Sequence, residues 1–307
     1  MTDVTPIFRR TTYPTISPSN PSNDQSGRTV LVIGASEGIG FSIALAYAQA
    51  NASKVILSSR SQPKLDDAVA QIRSKGVQGE VTSIPLDSGD IGQIETFWKR
   101  LEQENITVDV LILNAAKTGT TTTAAEVIEF FHFNVSTKLH MLEHFQNHHK
   151  DAKRSKILID VSSAALHAYP YPMTAYSSSK AAFSNHLCHL ADEVPEEEMR
   201  LVSMHPGAVY TSAARGSSEY KEDLPLWDHP SLAGHMGLWL STPAAAFLHG
   251  RFVWANWDAD GLVDMKEKIL ADAGLLKIGV TGVNSFSVSS LMEKCAESPA
   301  PKDRSLI

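Results

Sequence analysis

Apolar residues along this chain fall into short solid runs, separated by longer stretches in which they recur every three or four positions. The first run, Arg28-Thr29-Val30-Leu31-Val32-Ile33, ends at Gly34 and reads as a strand buried on both faces. Behind it, Ile39, Ile43, Ala44 and Tyr47 keep helical spacing. The alternation then repeats. Strand-like Lys54–Ser58 precedes a helix opened by Pro63 and ended near Gly76. Strand-like Glu80–Pro85 precedes a helix through Phe97 and Leu101, and Val108–Leu113 is the fourth strand. A long helix over Ala124–His149, strand Ile157–Val161, helix Ala175–Val194 and strand Leu201–Met204 follow. A last unit, Leu232–Leu240 then Arg251–Ala255, closes the series. Strands that alternate with helices predict parallel βαβ units with right-handed crossovers. The fold class is therefore α/β, a doubly wound parallel sheet of Rossmann type in a single domain with extensions at both ends.

The flanks read differently. Residues 1–27 are rich in Ser, Thr, Pro and Asn, show neither period, and are expected to form a flexible N-terminal extension. The domain is expected to span 28–257, and 258–307 reads as a C-terminal tail with one helix, Leu262–Ala271, and a fraying end. Within the domain, Gly207–Pro230 is polar but carries Tyr210, Tyr220, Leu224, Leu226 and Trp227. A loop of that length in an α/β domain is expected to bind or cover a ligand.

Composition narrows the function. Of 307 residues, 43% are hydrophobic and 20% charged, enough apolar material for a sizeable core. The 27 Lys plus Arg against 34 Asp plus Glu leave a net charge of −7, which argues against nucleic acid as a partner. Cys188 and Cys295 offer neither a disulfide framework nor metal-site spacing, so no metal is expected. No apolar run approaches the ~20 residues of a spanning helix. The N-terminus shows no hydrophobic core of a secretory signal. Arg9-Arg10 among Ser and Thr resembles a transit peptide only until Asp3 and the prolines interrupt the pattern. A reduced, soluble, cytoplasmic protein is the expectation.

Gly34-Ala35-Ser36-Glu37-Gly38-Ile39-Gly40 lies between the first strand and the first helix. Glycines there allow a sharp turn and let a pyrophosphate approach main-chain N–H groups at a helix N-terminus. Gly34, Ser36, Gly38, Ile39 and Gly40 are accordingly expected to hold a dinucleotide. The spacing differs from the commonest fingerprint, and its meaning comes from its place after a first strand. At the end of the second strand, Ser58-Ser59-Arg60 offers no carboxylate for a ribose 2′-hydroxyl. Ser59 and Arg60 instead suit a 2′-phosphate, favouring NADP over NAD, although Glu37 opposes a phosphate unless it points away.

Tyr176 and Lys180 stand four apart, on one face of the predicted Ala175–Val194 helix. An ammonium beside a phenol favours the phenolate and would lower the Tyr176 pKa toward a range useful for proton transfer. Ser163, at the end of strand Ile157–Val161, is placed to hydrogen-bond a substrate carbonyl oxygen. Asn134 sits inside the long helix, an awkward place for a buried amide.

Taken in order, Gly34-x-x-x-Gly38-x-Gly40, Leu113-Asn114-Ala115-Ala116, Asn134, Ser163 with Tyr176-x-x-x-Lys180, and Pro206-Gly207-x-Val209-x-Thr211 resemble the short-chain dehydrogenase/reductase family. The resemblance covers roughly residues 28–257. It implies that Tyr176 is the general acid/base, that Lys180 lowers its pKa and binds the nicotinamide ribose, that Ser163 orients the substrate, and that Asn134 completes a tetrad through a water relay. It also implies that Asp87 contacts the adenine and that Asn114 steadies the sheet beside the cofactor. Pro206, Gly207, Val209 and Thr211 would meet the nicotinamide carboxamide and phosphates. Ile33 and Ala116 depart from the family's usual Thr and Gly. The segment Phe247–Asp258 with its tail is similar to members from filamentous fungi, many of which serve secondary metabolism. In this family the corresponding helices often pack against a partner, which implies a homodimer or homotetramer.

The remaining features modify this picture slightly. His140, His144 and His148 recur every four residues and are expected to line a polar face or a subunit contact. Glu196-Glu197-Glu198 and the Lys150–Lys156 stretch read as solvated connections. Tyr169-Pro170-Tyr171-Pro172-Met173, with the Gly207–Pro230 loop, would wall a pocket for a bulky hydrophobic carbonyl or alcohol substrate. The leading expectation is an NADP-dependent reduction of a ketone or its reverse. A non-catalytic cofactor sensor, and an isomerase or cyclase using the same residues, stand as alternatives.

Overall fold

A computed structural model describes residues 4–121, 123–148, 155–167, 173–215, 221–280 and 288–297. Seven strands run parallel in one sheet: β1 (Thr29–Ile33), β2 (Lys54–Ser59), β3 (Glu80–Pro85), β4 (Val110–Leu113), β5 (Lys156–Val161), β6 (Met199–His205) and β7 (Arg251–Trp254). Their order across the sheet is β3-β2-β1-β4-β5-β6-β7. The chain thus winds outward from β1 in one direction and from β4 in the other. Reversal of strand order at that point opens a crevice beyond the carboxyl ends of β1 and β4.

Alternation along β1 explains why both faces are covered. Val30 and Val32 point into a core shared with α1 (Gly38–Gln49), α2 (Gln62–Arg73) and α8 (Pro230–Leu240). Leu31 and Ile33 point into a second core with α3 (Ile91–Gln103), α5 (Thr137–Asn147) and α6 (Thr174–Leu190). Trp98 anchors the second core, its indole N–H directed at the Met141 sulfur at 3.4 Å.

Four local expectations differ from the fold. The long Ala124–His149 helix is interrupted: α4 (Ala124–Phe131) passes through a π turn, His132–Ser136, into α5. There the Thr137 N–H bonds the His132 carbonyl, and Asn134 occupies the widened turn. The Leu262–Ala271 helix is two short ones, α9 (Ala259–Asp264) and α10 (Lys266–Ala271), and the tail carries a further helix, α11 (Val288–Glu297). The histidine ridge also turns inward. His144 stacks on Trp98 and buried His148 bonds the Ile106 carbonyl at 2.8 Å. Likewise Lys156 is not solvated. Its ammonium binds the Phe145 and Gln146 carbonyls at 2.9 and 3.0 Å, satisfying the C-terminal end of α5. His149 and Lys150 through Arg154 lie outside the described residues, as do the Tyr169–Pro172 segment and Tyr220. Among the described residues no helix is long and apolar enough to cross a membrane.

Residues 4–27, expected to be mobile, lie against the domain. Prolines 14 and 21 open two short 3-10 turns, and Ile16 is fully buried in the core beside α8. The Tyr13 hydroxyl accepts the Ala259 N–H at 2.8 Å, and Arg9 pairs with Asp258 at 2.7 Å. Isolated apolar anchors held by polar contacts have no period, which is why the segment reads as unstructured. Truncating Ile16→Ala should lower unfolding stability by about 2–5 kcal/mol in urea titrations. An unchanged midpoint would mean the segment is not docked.

Candidate functional site

At the carboxyl end of β1 the chain turns through Gly34 with φ +82°, and its N–H bonds the Ser58 carbonyl at 2.7 Å. The Asn114 side chain, one residue past β4, donates to the Gly34 carbonyl at 2.7 Å, tying the turn to the middle of the sheet. Gly40 is packed so closely that a Cβ would stand 2.1 Å from the Gly34 carbonyl oxygen. The first turn of α1 therefore packs directly on the glycine turn, with Gly38 and Ile39 at its N-terminus part-exposed and Thr211 beside Gly38. Glu37 caps α1 without a side-chain bond to it. Its carboxylate instead accepts from Ser212 at 2.6 Å and pairs with Lys64 at 3.4 Å. Those partners, Ser212 foremost, hold it below the usual carboxylate range.

Ser59 ends β2, its buried hydroxyl without a partner among the described residues, and Arg60 follows in an exposed position. Asp87 stands at the end of β3, its carboxylate accepting the Gly89 N–H at 3.0 Å. The sequence-predicted dinucleotide residues thus line up at the ends of β1, β2, β3 and β4. An unpaired buried hydroxyl there and a helix N-terminus over a glycine turn are the donor set that a nucleotide's ribose and phosphates require.

The reacting side chains gather at the end of β5. Lys180 is 1% exposed and its ammonium donates to the Val161 carbonyl at 2.8 Å. One helical turn away, the Tyr176 ring centre is 5.9 Å from the same nitrogen. Ser163, after β5, caps a short 3-10 turn, its hydroxyl accepting the Ala165 N–H at 3.2 Å, and it acts to lower the proton affinity of the Tyr176 phenol. Sequence spacing therefore places Ser163, Tyr176 and Lys180 together. The expected pKa of Tyr176 needs correction. Burial raises it, and Ser163 and the Lys138 charge oppose that rise without cancelling it. Desolvation of the phenolate outweighs the nearby positive charge.

The Asn134 side chain is fully engaged by neighbouring segments. Its amide brackets the Lys117 backbone, accepting from N–H at 2.8 Å and donating to the carbonyl at 2.9 Å, and also donates to Ser179 at 2.9 Å. It clamps the segment after β4 to α6, the helix that carries Tyr176.

Sequence reasoning missed two charged groups behind this centre. Lys138, one turn beyond Asn134, is 4% exposed and forms a short contact with the fully buried Asp160 of β5. A carboxylate inside the apolar run Lys156-Ile157-Leu158-Ile159-Asp160-Val161 was the available signal, because such a group requires a partner.

The Pro206–Thr211 segment follows β6. Gly207 has φ +84°, and a Cβ there would stand 2.6 Å from the Asp228 carboxylate. Asp228 accepts from Ala208 N–H and Asn256, each at 2.9 Å, and from Arg10 at 3.0 Å. The N-terminal segment thereby reaches the base of the loop. Val209 is buried, Thr211 is part-buried, and Tyr210 packs 5.0 Å from Trp227.

Beside Ser163, the Ala164 N–H donates to His205 Nδ1 at 3.2 Å. Burial pushes the His205 pKa down to about 3, so the ring is neutral. From it an aromatic wall extends. His205 meets Trp254 edge-on at 4.8 Å, and Trp254 stacks against His167 at 5.6 Å and Trp257 at 6.0 Å. His167 Nε2 and Trp254 Nε1 are buried without a partner among the described residues.

Comparison with known proteins agrees with this architecture. The short chain dehydrogenase family model matches residues 28–222, more than half of the chain. A short chain dehydrogenase/reductase of Aspergillus novofumigatus is 33% identical over 285 residues, covering 90% of this chain and 96% of that protein. One of Claviceps purpurea is 34% identical over 283 residues, covering 90% and 94%. Two solved structures share the fold. A 7α-hydroxysteroid dehydrogenase complexed with NADH and 7-oxoglycochenodeoxycholic acid has TM-score 0.69 at 22% identity, over 78% of this chain and 96% of that one. A 3-oxoacyl (acyl-carrier-protein) reductase of Agrobacterium tumefaciens with NADP bound has TM-score 0.67 at 24% identity, over 76% and 94%. With the glycine turn, the strand order and Tyr176 with Lys180 in place, the chain belongs to the short-chain dehydrogenase/reductase family.

Proposed function

We propose that this protein is an NADP(H)-dependent oxidoreductase that reduces a ketone on a bulky hydrophobic small molecule, or oxidises the corresponding secondary alcohol. The observation that carries the reading is the buried Lys180 nitrogen, bonded to the Val161 carbonyl and 5.9 Å from the Tyr176 ring centre, with Ser163 two residues past Val161 at the end of the same strand. The Ser163 and Tyr176 hydroxyls there can both donate to one carbonyl oxygen.

The bound dihydronicotinamide would supply a hydride to the carbonyl carbon. Negative charge then grows on the oxygen, to which Ser163 and Tyr176 would donate, so stabilisation is largest in the transition state. Tyr176 completes the reduction by giving its proton to that oxygen. Its raised pKa keeps it protonated at neutral pH, which suits the reductive direction. Lys180 opposes the charge left on the phenolate and is placed to reach the nicotinamide ribose.

The NADP preference rests on Ser59 and Arg60, and on the absence of a carboxylate at the end of β2. Glu37, the nearby objection, is already engaged by Ser212 and Lys64. The aromatic cluster of His205, His167 and Trp254 beside Ser163 supports a bulky hydrophobic substrate. The relatives in Aspergillus and Claviceps are short chain dehydrogenase/reductases of fungi, which is consistent with a fungal substrate.

Two outcomes test the reading. Followed by nicotinamide absorbance on a panel of aromatic ketones, Tyr176→Phe should lose turnover by about 10²- to 10⁴-fold while keeping its cofactor affinity. Full turnover in that variant would contradict the mechanism. Arg60→Ala should raise KM for NADPH about tenfold and leave KM for NADH unchanged, consistent with loss of one charge-assisted contact. Equal effects on both would argue against the NADP assignment.

A further inference from the structure

The Arg9-Arg10 pair has no part in the chemistry proposed above, yet the base of the loop after β6 is held by it. The Arg10 guanidinium donates through Nε to Asp228 at 3.0 Å and through a terminal nitrogen to the Trp227 carbonyl at 2.7 Å. Its own carbonyl accepts the His229 N–H at 2.9 Å. The Arg9 N–H donates to the Asn256 carbonyl at 2.7 Å, and the Asn256 side chain returns a bond to the Arg9 carbonyl at 2.9 Å. Asp228 carries this grip to the other end of the loop. Its second oxygen accepts the Ala208 N–H at 2.9 Å, and its own N–H donates to the Ala208 carbonyl at 2.6 Å. Trp227 adds its ring, which packs 5.0 Å from Tyr210 and donates its indole N–H to the Lys221 carbonyl at 2.7 Å. Beyond Ala208, Thr211 stands beside Gly38 of the glycine turn, and Ser212 bonds Glu37 at 2.6 Å. Before it, His205 accepts the N–H of Ala164, the neighbour of Ser163.

We propose that Arg10 is a positioning residue: acting through Asp228 and Trp227, it sets the 207–211 segment between the glycine turn and Ser163, and so sets the affinity of the crevice for its nicotinamide cofactor. The proposal rests on the reading of that crevice as a dinucleotide site. Charge favours it. The Asp228 side chain is 5% exposed, and Ala208 and Asn256 give it hydrogen bonds but no positive charge, which Arg10 supplies. Geometry favours arginine in particular. A planar fork reaches the carboxylate and the Trp227 carbonyl together, whereas a single ammonium is a point charge on a flexible stem. The turn has little slack, because Gly207 has φ +84° and a Cβ there would stand 2.6 Å from the same carboxylate. Any shift of Asp228 therefore passes to Gly207 and Ala208. Arg9 provides the contrast. Its side chain pairs at 2.7 Å with Asp258, the N-cap of α9, so it docks the same segment onto a different element.

The test compares the full chain with its Arg10→Ala, Arg10→Lys and Arg9→Ala variants by two readouts. Trypsin cleavage after Lys221, followed by mass spectrometry on the native protein, reports the hold on the loop, because Trp227 bonds the carbonyl of the bond to be cut. Fluorescence titration with NADPH reports cofactor affinity without turnover. Arg10→Ala should be cut about tenfold faster and bind NADPH about tenfold more weakly, the size of a lost charge-assisted contact. Arg10→Lys, which keeps the charge but not the fork, should fall between Arg10→Ala and the wild type. Arg9→Ala should lower the urea midpoint yet keep both cleavage rate and NADPH affinity within about twofold of the wild type. A merely structural role for the segment would move both arginine variants alike. Equal effects of Arg9→Ala and Arg10→Ala would therefore overturn the proposal, as would unaltered NADPH affinity in Arg10→Ala. If the wild type itself binds no NADPH, the dinucleotide reading fails, while a separation of the variants in cleavage still shows Arg10 holding the loop.

Discussion

The site depends on the burial of one ammonium group. Lys180 is withdrawn from water at the carboxyl end of β5, where its nitrogen donates to the Val161 carbonyl and offsets part of the cost. That requirement fixes the azimuth of α6 against the sheet. With α6 so turned, Tyr176 lies one turn earlier, at the crevice that Ser163 borders. The same turn puts Ser179 under the Asn134 amide, which ties the segment after β4 to the same helix. A change that frees Lys180 from β5 would therefore move a whole set of donors.

The rest of the molecule holds the crevice around that point. Asn114 joins the glycine turn to the end of β4, so the two halves of the sheet share one rim. Asp228 and Asn256 fix the base of the loop after β6, and Arg10 brings the N-terminal segment into the same network. Glu37 and Ser212 link that loop back to the α1 N-terminus. Loop, turn and N-terminal segment form one connected rim, which rigid strands position.

How much of this was readable in the chain depends on the kind of interaction. Strands and the main helices are carried by local periods, so the apolar runs at Val30 and Leu111 announce themselves. Tyr176 and Lys180 are legible for the same reason, because one helical turn is a local distance. The N-terminal segment is not, since Tyr13 and Ile16 are single anchors set among polar residues. Nor is the π turn at Asn134, which arises from bonds to Lys117 and Ser179, far away in sequence. Lys138 looks like any surface lysine until β5 supplies Asp160. The proton affinity of Tyr176 is not legible, because spacing reveals a neighbouring charge but not the loss of water that opposes it. Charge and contact at short range can be read from order alone; burial cannot.

The central claim, that these strand ends assemble a site for hydride transfer completed by a tyrosine proton, is tested most directly by isotope. The enzyme would be supplied with NADPH deuterated at the transferring position and an aromatic ketone, and the product analysed by mass and NMR. The account predicts one deuterium on the new carbinol carbon and a solvent-derived proton on its oxygen. Conversion of the substrate with no deuterium in the product would contradict it.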